Sequence, residues 1–233
     1  MDNFSLYLVC FLVPFVIGLA VQGWLKSTFA KNSRVPVASG KTGADVAREI
    51  LDRNGLRDVP VKPTKAGPLS DHYDPRARGV FLSEPVYAGR SIAATAVAAH
   101  EVGHAMQHAL GYTPMKLRSA IWPAAAFGSK AWFFILIAGM FFAGAGSYSA
   151  TLVNVALLMF AAVVIFQIVT LPVEFNASRR AMAQIRELGL VTDAEAVGAR
   201  QTLTAAAMTY VAGALASIAQ LLYFLAIFSG SRN

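Results

Sequence analysis

Four long apolar runs constrain the fold of this chain more than any other feature of its sequence. They occupy residues 4–25, 131–146, 151–171 and 204–228, and the second run reaches spanning length when it is extended back through Ile121. A helix needs about 20 residues to cross the hydrocarbon core of a bilayer, where it satisfies its own backbone hydrogen bonds. The runs therefore predict four transmembrane helices, of which the second and third form a hairpin that turns near residues 144–149.

The composition supports a membrane protein. The chain has 233 residues, of which 56% are hydrophobic and 14% charged, and this is too apolar for an ordinary soluble domain. The first run could be a signal peptide, but its N-terminal flank holds Asp2 and no Lys or Arg, and no small-residue cleavage site follows it. We therefore interpret it as a retained anchor. The single cysteine, Cys10, excludes a disulfide within the chain.

The positive charge indicates an orientation in the membrane. A net charge of +7 could indicate nucleic-acid binding, but the basic residues are scattered and no nucleic-acid-binding motif is present. Residues 26–118 hold fourteen of the twenty Lys and Arg residues, and residues 172–203 hold four. Four spans place both segments on one side of the membrane. The positive-inside rule then predicts that this side is the cytoplasm.

These observations predict the fold class and the division of the chain. We expect a mostly α membrane protein with about four transmembrane helices and a small α+β, zincin-like cytoplasmic domain. The predicted parts are an N-terminal transmembrane anchor (1–25), the zincin-like domain (26–118), the transmembrane hairpin (119–171), a cytoplasmic helical segment (172–203) and a C-terminal transmembrane helix (204–233).

A His-Glu-x-x-His motif lies in an Ala-rich run that should be helical. His100 and His104 are four residues apart, so both can direct a ring nitrogen to one metal ion from the same helix face. Glu101 lies about 100° further round the helix, where its carboxylate can take a proton from a water on that metal. The histidines could instead be an ordinary surface or core pair. Because the flanks are small and apolar, burial would be costly for these side chains unless they were paired or metal-bound.

The third metal ligand must come from elsewhere in the chain. His108 lies about 12 Å along the helix axis from His100, too far for one zinc to bind both. A metzincin would need a histidine at the position that Leu110 occupies. Glu174 is an acidic residue just beyond the third apolar run, where a lone carboxylate would be expensive. We expect it to be the third ligand, and the alternative is a salt bridge to Arg179 or Arg180.

Local patterns predict the elements around the motif. Thr42 and Asp45 are typical of a helix start close to a capping box. Residues 71–75 read as a turn, and residues 80–83 as a strand that could form the edge on which an extended peptide is laid. Ser91 can cap the helix that carries the motif. Gly103, costly within a helix, is expected to allow the close approach of another backbone.

The combination of motifs resembles a known family, the YugP-type neutral zinc metallopeptidases of bacterial membranes. The resemblance covers nearly the whole chain. The residues that carry it are Thr42-Gly43, Asp71-His72-Tyr73-Asp74-Pro75, Leu82-Ser83-Glu84, Ala99-His100-Glu101-Val102-Gly103-His104-Ala105 and Glu174-Phe175-Asn176-Ala177-Ser178-Arg179-Arg180.

The resemblance implies a gluzincin-type membrane peptidase with one Zn²⁺ per chain. It implies that His100, His104 and Glu174 bind the zinc and that Glu101 is the base. The last motif also resembles the Glu-x-x-Ala-Asp of the more distant HtpX-like and CaaX-processing membrane peptidases. Ser178 stands at the position of that Asp, and Asn176 stands where the family usually has Asp.

The resulting hypothesis is a zinc metalloendopeptidase that hydrolyses peptide bonds at the cytoplasmic face of a bacterial inner membrane. Its expected partners are protein or peptide substrates near the membrane and the lipid bilayer, with no nucleic acid; the oligomeric state stays open. The alternatives are a non-catalytic membrane scaffold that binds zinc, and a transporter, which four spans without repeated broken helices fit poorly. Residues considered as oxyanion donors or as hydrogen-bond partners of the ligands are His72, Tyr73, His108, Asn176, Ser178, Arg179 and Tyr210.

Overall fold

The computed structural model describes residues 3–67, 69–142 and 147–230. The helices are α1 (Asn3–Tyr7), a π-helical stretch (Leu8–Leu12), α2 (Val13–Ser33), α3 (Gly43–Arg53), α4 (Glu84–Tyr87), α5 (Ile92–Ala109), α6 (Thr113–Phe141), α7 (Ser147–Glu187) and α8 (Asp193–Gly230). The strands are β1 (Val61–Thr64), β2 (His72–Asp74) and β3 (Gly79–Ser83). The predicted fold class, a mostly α membrane protein with a small α+β part, is confirmed.

Four helices are long and apolar enough to cross a membrane. They cover Phe4–Ser33, Thr113–Phe141, Ser149–Glu187 and Asp193–Phe228, with mean hydropathies between 1.6 and 2.6. Large apolar side chains such as Phe134 and Leu158 remain more than 70% exposed along them, as lipid-facing residues would be. The helices that contain the last two apolar runs extend well beyond those runs. Of the hairpin turn predicted near residues 144–149, residues 144–146 lie outside the described residues and residues 147–149 belong to α7.

The chain divides into two compact units. Unit 1 comprises the described residues of 1–20, 116–171 and 210–233, and unit 2 comprises the described residues of 21–115 and 172–209. Within unit 1, the Trp132 ring stacks on Phe160 with centroids 4.3 Å apart, and Phe224 packs against both rings. Aromatic and small apolar side chains therefore form the interior of that unit.

Unit 2 contains the sheet and a separate apolar core. Helix α3 packs against α5, and Val46, Ile50 and Leu51 on its inner face are completely buried. Ile185 and Leu190 contribute to the same core from the end of α7 and the residues after it. The apolar stripe at helical spacing in α3 therefore becomes the support on which α5 rests.

The predicted start of α3 is confirmed as a capping box. Thr42 Oγ1 accepts a hydrogen bond from Asp45 N at 3.1 Å, and Asp45 Oδ2 accepts one from Thr42 N at 2.9 Å. The two bonds satisfy backbone groups that a helix N-terminus otherwise leaves unpaired. A third bond, which Thr42 Oγ1 donates to Asp45 Oδ2 at 2.6 Å, contributes most to lowering the pKa of the Asp45 carboxyl, and the bond from Thr42 N contributes next.

The sheet corrects two predictions about the segment before α5. Its strand order is β1-β3-β2, with β3 parallel to β1 and antiparallel to β2. Residues 80–83 therefore belong to the central strand, and the prediction that they form a sheet edge is wrong. β3 has a strand partner at each edge, and its Val80 and Leu82 side chains are fully buried.

The second correction concerns residues 71–75, which were predicted as a turn. Residues 72–74 form strand β2, where His72 faces Phe81, and the turn follows at residues 75–78. The strand is only three residues long and carries two polar side chains. Its extended conformation depends on pairing with β3, which the local sequence pattern does not reveal.

Candidate metal centre

Helix α5 provides a buried platform for the motif. Ser91 caps its start, with the Ser91 hydroxyl oxygen accepting a bond from Ala94 N at 3.2 Å. Fourteen of its eighteen residues are buried, which small alanine side chains permit because neighbouring backbones can approach closely. The helix ends before Gly111, whose φ of +64° suits glycine. The predicted cap of the helix at Ser91 is therefore found.

Three side chains of unit 2 converge near the middle of this helix. Glu174 Oε2 lies 3.3 Å from His100 Nε2 and 3.5 Å from His104 Nε2, and the three ligand atoms all lie within 4.8 Å of one another. Two ligands bound to a tetrahedral zinc at about 2.1 Å stand about 3.4 Å apart. The donor set of two imidazoles and one carboxylate therefore fits a single zinc ion in both its chemistry and its spacing.

The approach of α7 to α5 depends on Gly103. A Cβ atom at this position would lie 2.6 Å from the carbonyl oxygen of Ala177, a distance that real side chains do not adopt. Because position 103 has no side chain, the α7 backbone lies directly against α5 there. The close backbone approach that the sequence predicted for Gly103 is confirmed.

The side chains of this group are buried to different degrees. Glu174 is 2% exposed, His104 is 8% exposed and Glu101 is 7% exposed, whereas His100 is partly exposed. Burial raises the pKa of Glu101 above its ordinary value. Burial alone would lower the pKa of His104, but its hydrogen bond and charge interaction with Glu174 outweigh that effect and the pKa is raised.

The outer ring nitrogens of the two histidines have different partners. His100 Nδ1 lies 3.1 Å from Ser178 Oγ, and His104 Nδ1 lies 3.0 Å from Gln107 Oε1. Gln107 Nε2 in turn donates to Asn176 Oδ1 at 3.0 Å. The structure thus places Ser178 directly against one imidazole and connects Asn176 to the other through Gln107.

Sequence reasoning missed Gln107 as a member of this site. Its only local signal is its spacing, since it follows His104 by three residues and so lies near it on the surface of α5. Its partners on α7 are 66 and 69 residues away in the chain. Such contacts become visible only when the two helices are packed together.

The remaining candidates on the sheet and on α5 lie in two places. Tyr73 Oη lies 2.8 Å from His108 Nδ1, and the exposed His72 stacks on Phe81 and contacts the Ser70 carbonyl. Neither His72 nor His108 belongs to the group of ligand atoms found among the described residues. That His108 is not a ligand to the same ion stays a prediction.

Asp71, immediately before β2, is bonded to the last residue of β3. Its Oδ1 accepts bonds from Ser83 N at 2.7 Å and Ser83 Oγ at 3.0 Å. Burial raises the pKa of the Asp71 carboxyl against the lowering effect of these bonds. Asp71 thus joins the start of β2 to the end of β3.

Two further candidates, Arg179 and Tyr210, are not among the three residues whose ligand atoms converge within the described residues. Arg179 is exposed on α7, and Arg180 donates from Nε to Asn176 Oδ1 at 2.8 Å. Tyr210 belongs to unit 1, whereas the three ligand residues belong to unit 2. An oxyanion role for Arg179 or Tyr210 stays a prediction.

Comparison with known proteins identifies the family. Residues 7–229 match the model of the family described as "Putative neutral zinc metallopeptidase". The chain belongs to this family. The chain is also 47% identical over 228 residues to a relative named "Putative membrane protease YugP" from Bacillus subtilis (strain 168); the match covers 97% of this chain and 99% of the relative. The family resemblance stated from the sequence is therefore confirmed. No solved structure matches the chain.

Proposed function

We propose that the chain is a membrane-integrated zinc endopeptidase whose metal is held by His100, His104 and Glu174. The observation that carries this proposal is the convergence of the two Nε2 atoms and Glu174 Oε2, with spacings that suit one zinc ion. Glu101 lies next to the first of these histidines, as the zinc-peptidase motif requires. Membership of a family of zinc metallopeptidases supports the same assignment.

The catalytic steps follow from the side chains around this centre. When bound, zinc supplies a Lewis acid that polarises the scissile carbonyl and makes water a better nucleophile. Glu101 accepts the proton of the attacking water and delivers it to the leaving nitrogen. His100, His104 and Glu174 hold their positions through the packing of α7 on α5 at Gly103. The Tyr73–His108 pair is the best-placed source of an oxyanion donor, since His108 lies one turn beyond His104.

Strand β2 is the part of the sheet best suited to hold a substrate. It pairs with β3 on one side, and within the described residues no strand pairs with its other side. It also contacts α5, the helix of the metal motif. An extended peptide that adds to the free edge of β2 would therefore be held beside α5 by main-chain hydrogen bonds.

The sequence around Glu174 favours substrates in or near the membrane. Glu174 follows the apolar run 151–171 by three residues, within a helix long enough to span a bilayer. The distribution of Lys and Arg favours the cytoplasmic side of a bacterial inner membrane for residues 26–118 and 172–203. We therefore place proteolysis at that face.

The direct test of the proposed function replaces the base and keeps the metal ligands. Glu101→Gln in the full-length protein, reconstituted into nanodiscs, is expected to retain one zinc per chain. Its rate of cleavage of a membrane-embedded protein should fall about 10²–10⁴-fold, because the general base is gone. Glu187→Gln, an exposed site on α7, is the matched control and should cleave like the wild type.

Three outcomes of this experiment decide between the hypotheses. Full proteolysis by Glu101→Gln would contradict the assigned base. Zinc binding without hydroxamate-sensitive cleavage of any substrate by the wild type would favour the non-catalytic scaffold. Equal rates on a soluble casein-like substrate and on the membrane-embedded one would contradict the preference for membrane substrates.

A further inference from the structure

Gln107 is a completely buried polar residue that lies against the candidate metal centre. The polar atoms of its side chain make three hydrogen bonds, with His104 Nδ1 at 3.0 Å, the Val173 carbonyl oxygen at 2.8 Å and Asn176 Oδ1 at 3.0 Å. A buried amide is costly unless its hydrogen bonds are made, and here three are made. The residue is therefore held in one orientation.

The partners determine which atom of the amide faces which group. The Val173 carbonyl can only accept a hydrogen bond, so the amide atom that faces it must be the NH₂ group. The amide oxygen of Gln107 then faces His104 Nδ1, and this oxygen can only accept. His104 Nδ1 must therefore carry a proton.

This proton assignment determines which ring nitrogen is available to a metal ion. A metal-binding imidazole is neutral and has one N–H group, so with its proton on Nδ1 His104 binds a metal ion through the lone pair of Nε2. That nitrogen lies 3.5 Å from a carboxylate oxygen of Glu174, which also presents lone pairs. Without a metal ion a second proton, on Nε2, bonds the two atoms, and a metal ion takes the place of that proton. The hydrogen bond that His104 Nδ1 donates to Gln107 thus prepares His104 to bind a metal ion through Nε2.

We propose that Gln107 is a positioning residue that fixes both the tautomer of His104 and the placement of Glu174. Its NH₂ group bonds to residues 173 and 176, which lie on either side of Glu174 in α7. Asn176 Oδ1 accepts a second bond from Arg180 Nε, so the network is anchored on α7 as well. Gln107 on α5 therefore orients His104 on its own helix and also the segment of α7 that carries Glu174. The part of this role that concerns zinc binding rests on the proposed function.

His100, the other histidine of the motif, has a hydrogen-bond partner that constrains its protonation less. His100 Nδ1 contacts Ser178 Oγ, and a hydroxyl can either donate or accept a hydrogen bond. Ser178 therefore does not determine the tautomer of His100. Among the described residues, the hydrogen bonds of Ser178 Oγ do not extend to a further side chain. The loss of Gln107 should accordingly weaken zinc binding more than the loss of the Ser178 hydroxyl.

The test compares zinc affinity among matched variants of the full-length protein in nanodiscs. Competition with a chelator of known affinity should give a zinc Kd that rises about 10–100-fold in Gln107→Met, the range seen when hydrogen-bond partners of metal ligands are removed. Ser178→Ala should weaken binding less than Gln107→Met does. Gln184→Met makes the same substitution at a glutamine that bonds to Asn54 and Glu187, and its Kd should equal that of the wild type.

A spectroscopic readout separates positioning from a general structural role. In the zinc-loaded wild type, the Nδ1 proton of His104 should give a slowly exchanging NMR signal because it is hydrogen-bonded to Gln107. The signal should exchange much faster in Gln107→Met and should persist in Gln107→Glu, which keeps an acceptor facing His104. The measurement on the wild type remains informative even if a variant does not fold.

The outcomes distinguish this inference from the proposed function. Absence of zinc binding by the wild type would overturn both. Zinc binding by the wild type together with an unchanged Kd in Gln107→Met, or with a rapidly exchanging Nδ1 proton in the wild type, would overturn the role of Gln107 and leave the peptidase proposal standing.

Discussion

Each histidine of the candidate metal centre uses its two nitrogens for different purposes. The Nε2 atoms of His100 and His104 face Glu174, and the Nδ1 atoms face Ser178 and Gln107. A hydrogen bond at the outer nitrogen orients the ring and makes the inner nitrogen a better ligand. The chemistry that we propose therefore depends on residues outside the His-Glu-x-x-His motif as well as within it.

His108 offers a second test at the level of single residues. It follows His104 by four residues, as His104 follows His100, but it is not one of the three candidate ligands. Its Nδ1 is bonded to Tyr73, so His108→Ala should lose that hydrogen bond and about 1 kcal/mol of stability. The zinc content measured by metal analysis should stay at one per chain. A loss of zinc comparable to that of His104→Ala would show that His108 is a ligand after all.

The residues that could be predicted from sequence are those whose chemistry shows in a short pattern. His100, Glu101 and His104 are recognisable by spacing, and Glu174 stands out as a carboxylate after an apolar run. Gln107 was missed because a buried glutamine looks like any other polar residue until its partners are known. Two of those partners, Val173 and Asn176, come from another element, α7.

At the scale of elements, the contact between α5 and α7 brings the ligands together. We expect Gly103→Ala to destabilise the protein by about 1–3 kcal/mol and to weaken zinc binding, because the added methyl group would meet the Ala177 backbone. The measurements are thermal unfolding and chelator competition. Gly213→Ala is the matched control, since a Cβ there has its nearest neighbours at 3.9 Å. Equal zinc affinity in Gly103→Ala and the wild type would contradict the role of this contact.

The capping box of α3 predicts a pH-dependent stability for the helix that supports α5. The pKa of Asp45 is lowered in the folded chain, so its contribution is present above the ordinary value of 3.8 and is lost as the pH falls through the lower folded pKa. Thr42→Ala should cost about 1 kcal/mol at pH 7. Asp45→Asn should speed hydrogen exchange of residues 43–53 at pH 7.

The control for this prediction is the same comparison at low pH. The difference in exchange between Asp45→Asn and the wild type should shrink well below pH 3.8, where both side chains are uncharged. Equal exchange of the two proteins at pH 7 would show that the Asp45 charge does not support the helix start.

The strand order of the sheet could not be predicted from the sequence patterns of its single elements. Helices α3 and α5 were predictable because their apolar periodicity and caps are local. The edge assignment of residues 80–83 failed because strand order depends on which segments pair, and β2 is too short and polar to be recognised alone. The proposed substrate-binding edge is therefore β2 and not β3.

At the scale of the whole molecule, four candidate spans and the charge distribution predict a topology. Residues 26–118 and 172–203 should lie in the cytoplasm and both termini outside it. Alkaline phosphatase fused after Asn233 should therefore be active in a bacterial host, and green fluorescent protein at the same position should stay dark. Fusions after Gly189, whose backbone adopts a φ of +61° between α7 and α8, should give the opposite result. The reverse pattern at both positions would contradict the orientation.

The central claim is that Glu174 from α7 and the two histidines of α5 bind one metal ion. Metal analysis of the purified full-length protein tests it most directly, with the wild type compared with Glu174→Ala and with the exposed Glu187→Ala as the control. We predict one zinc per chain in the wild type and in Glu187→Ala, and a zinc Kd at least about tenfold weaker in Glu174→Ala. Full zinc occupancy with unchanged affinity in Glu174→Ala would contradict the claim.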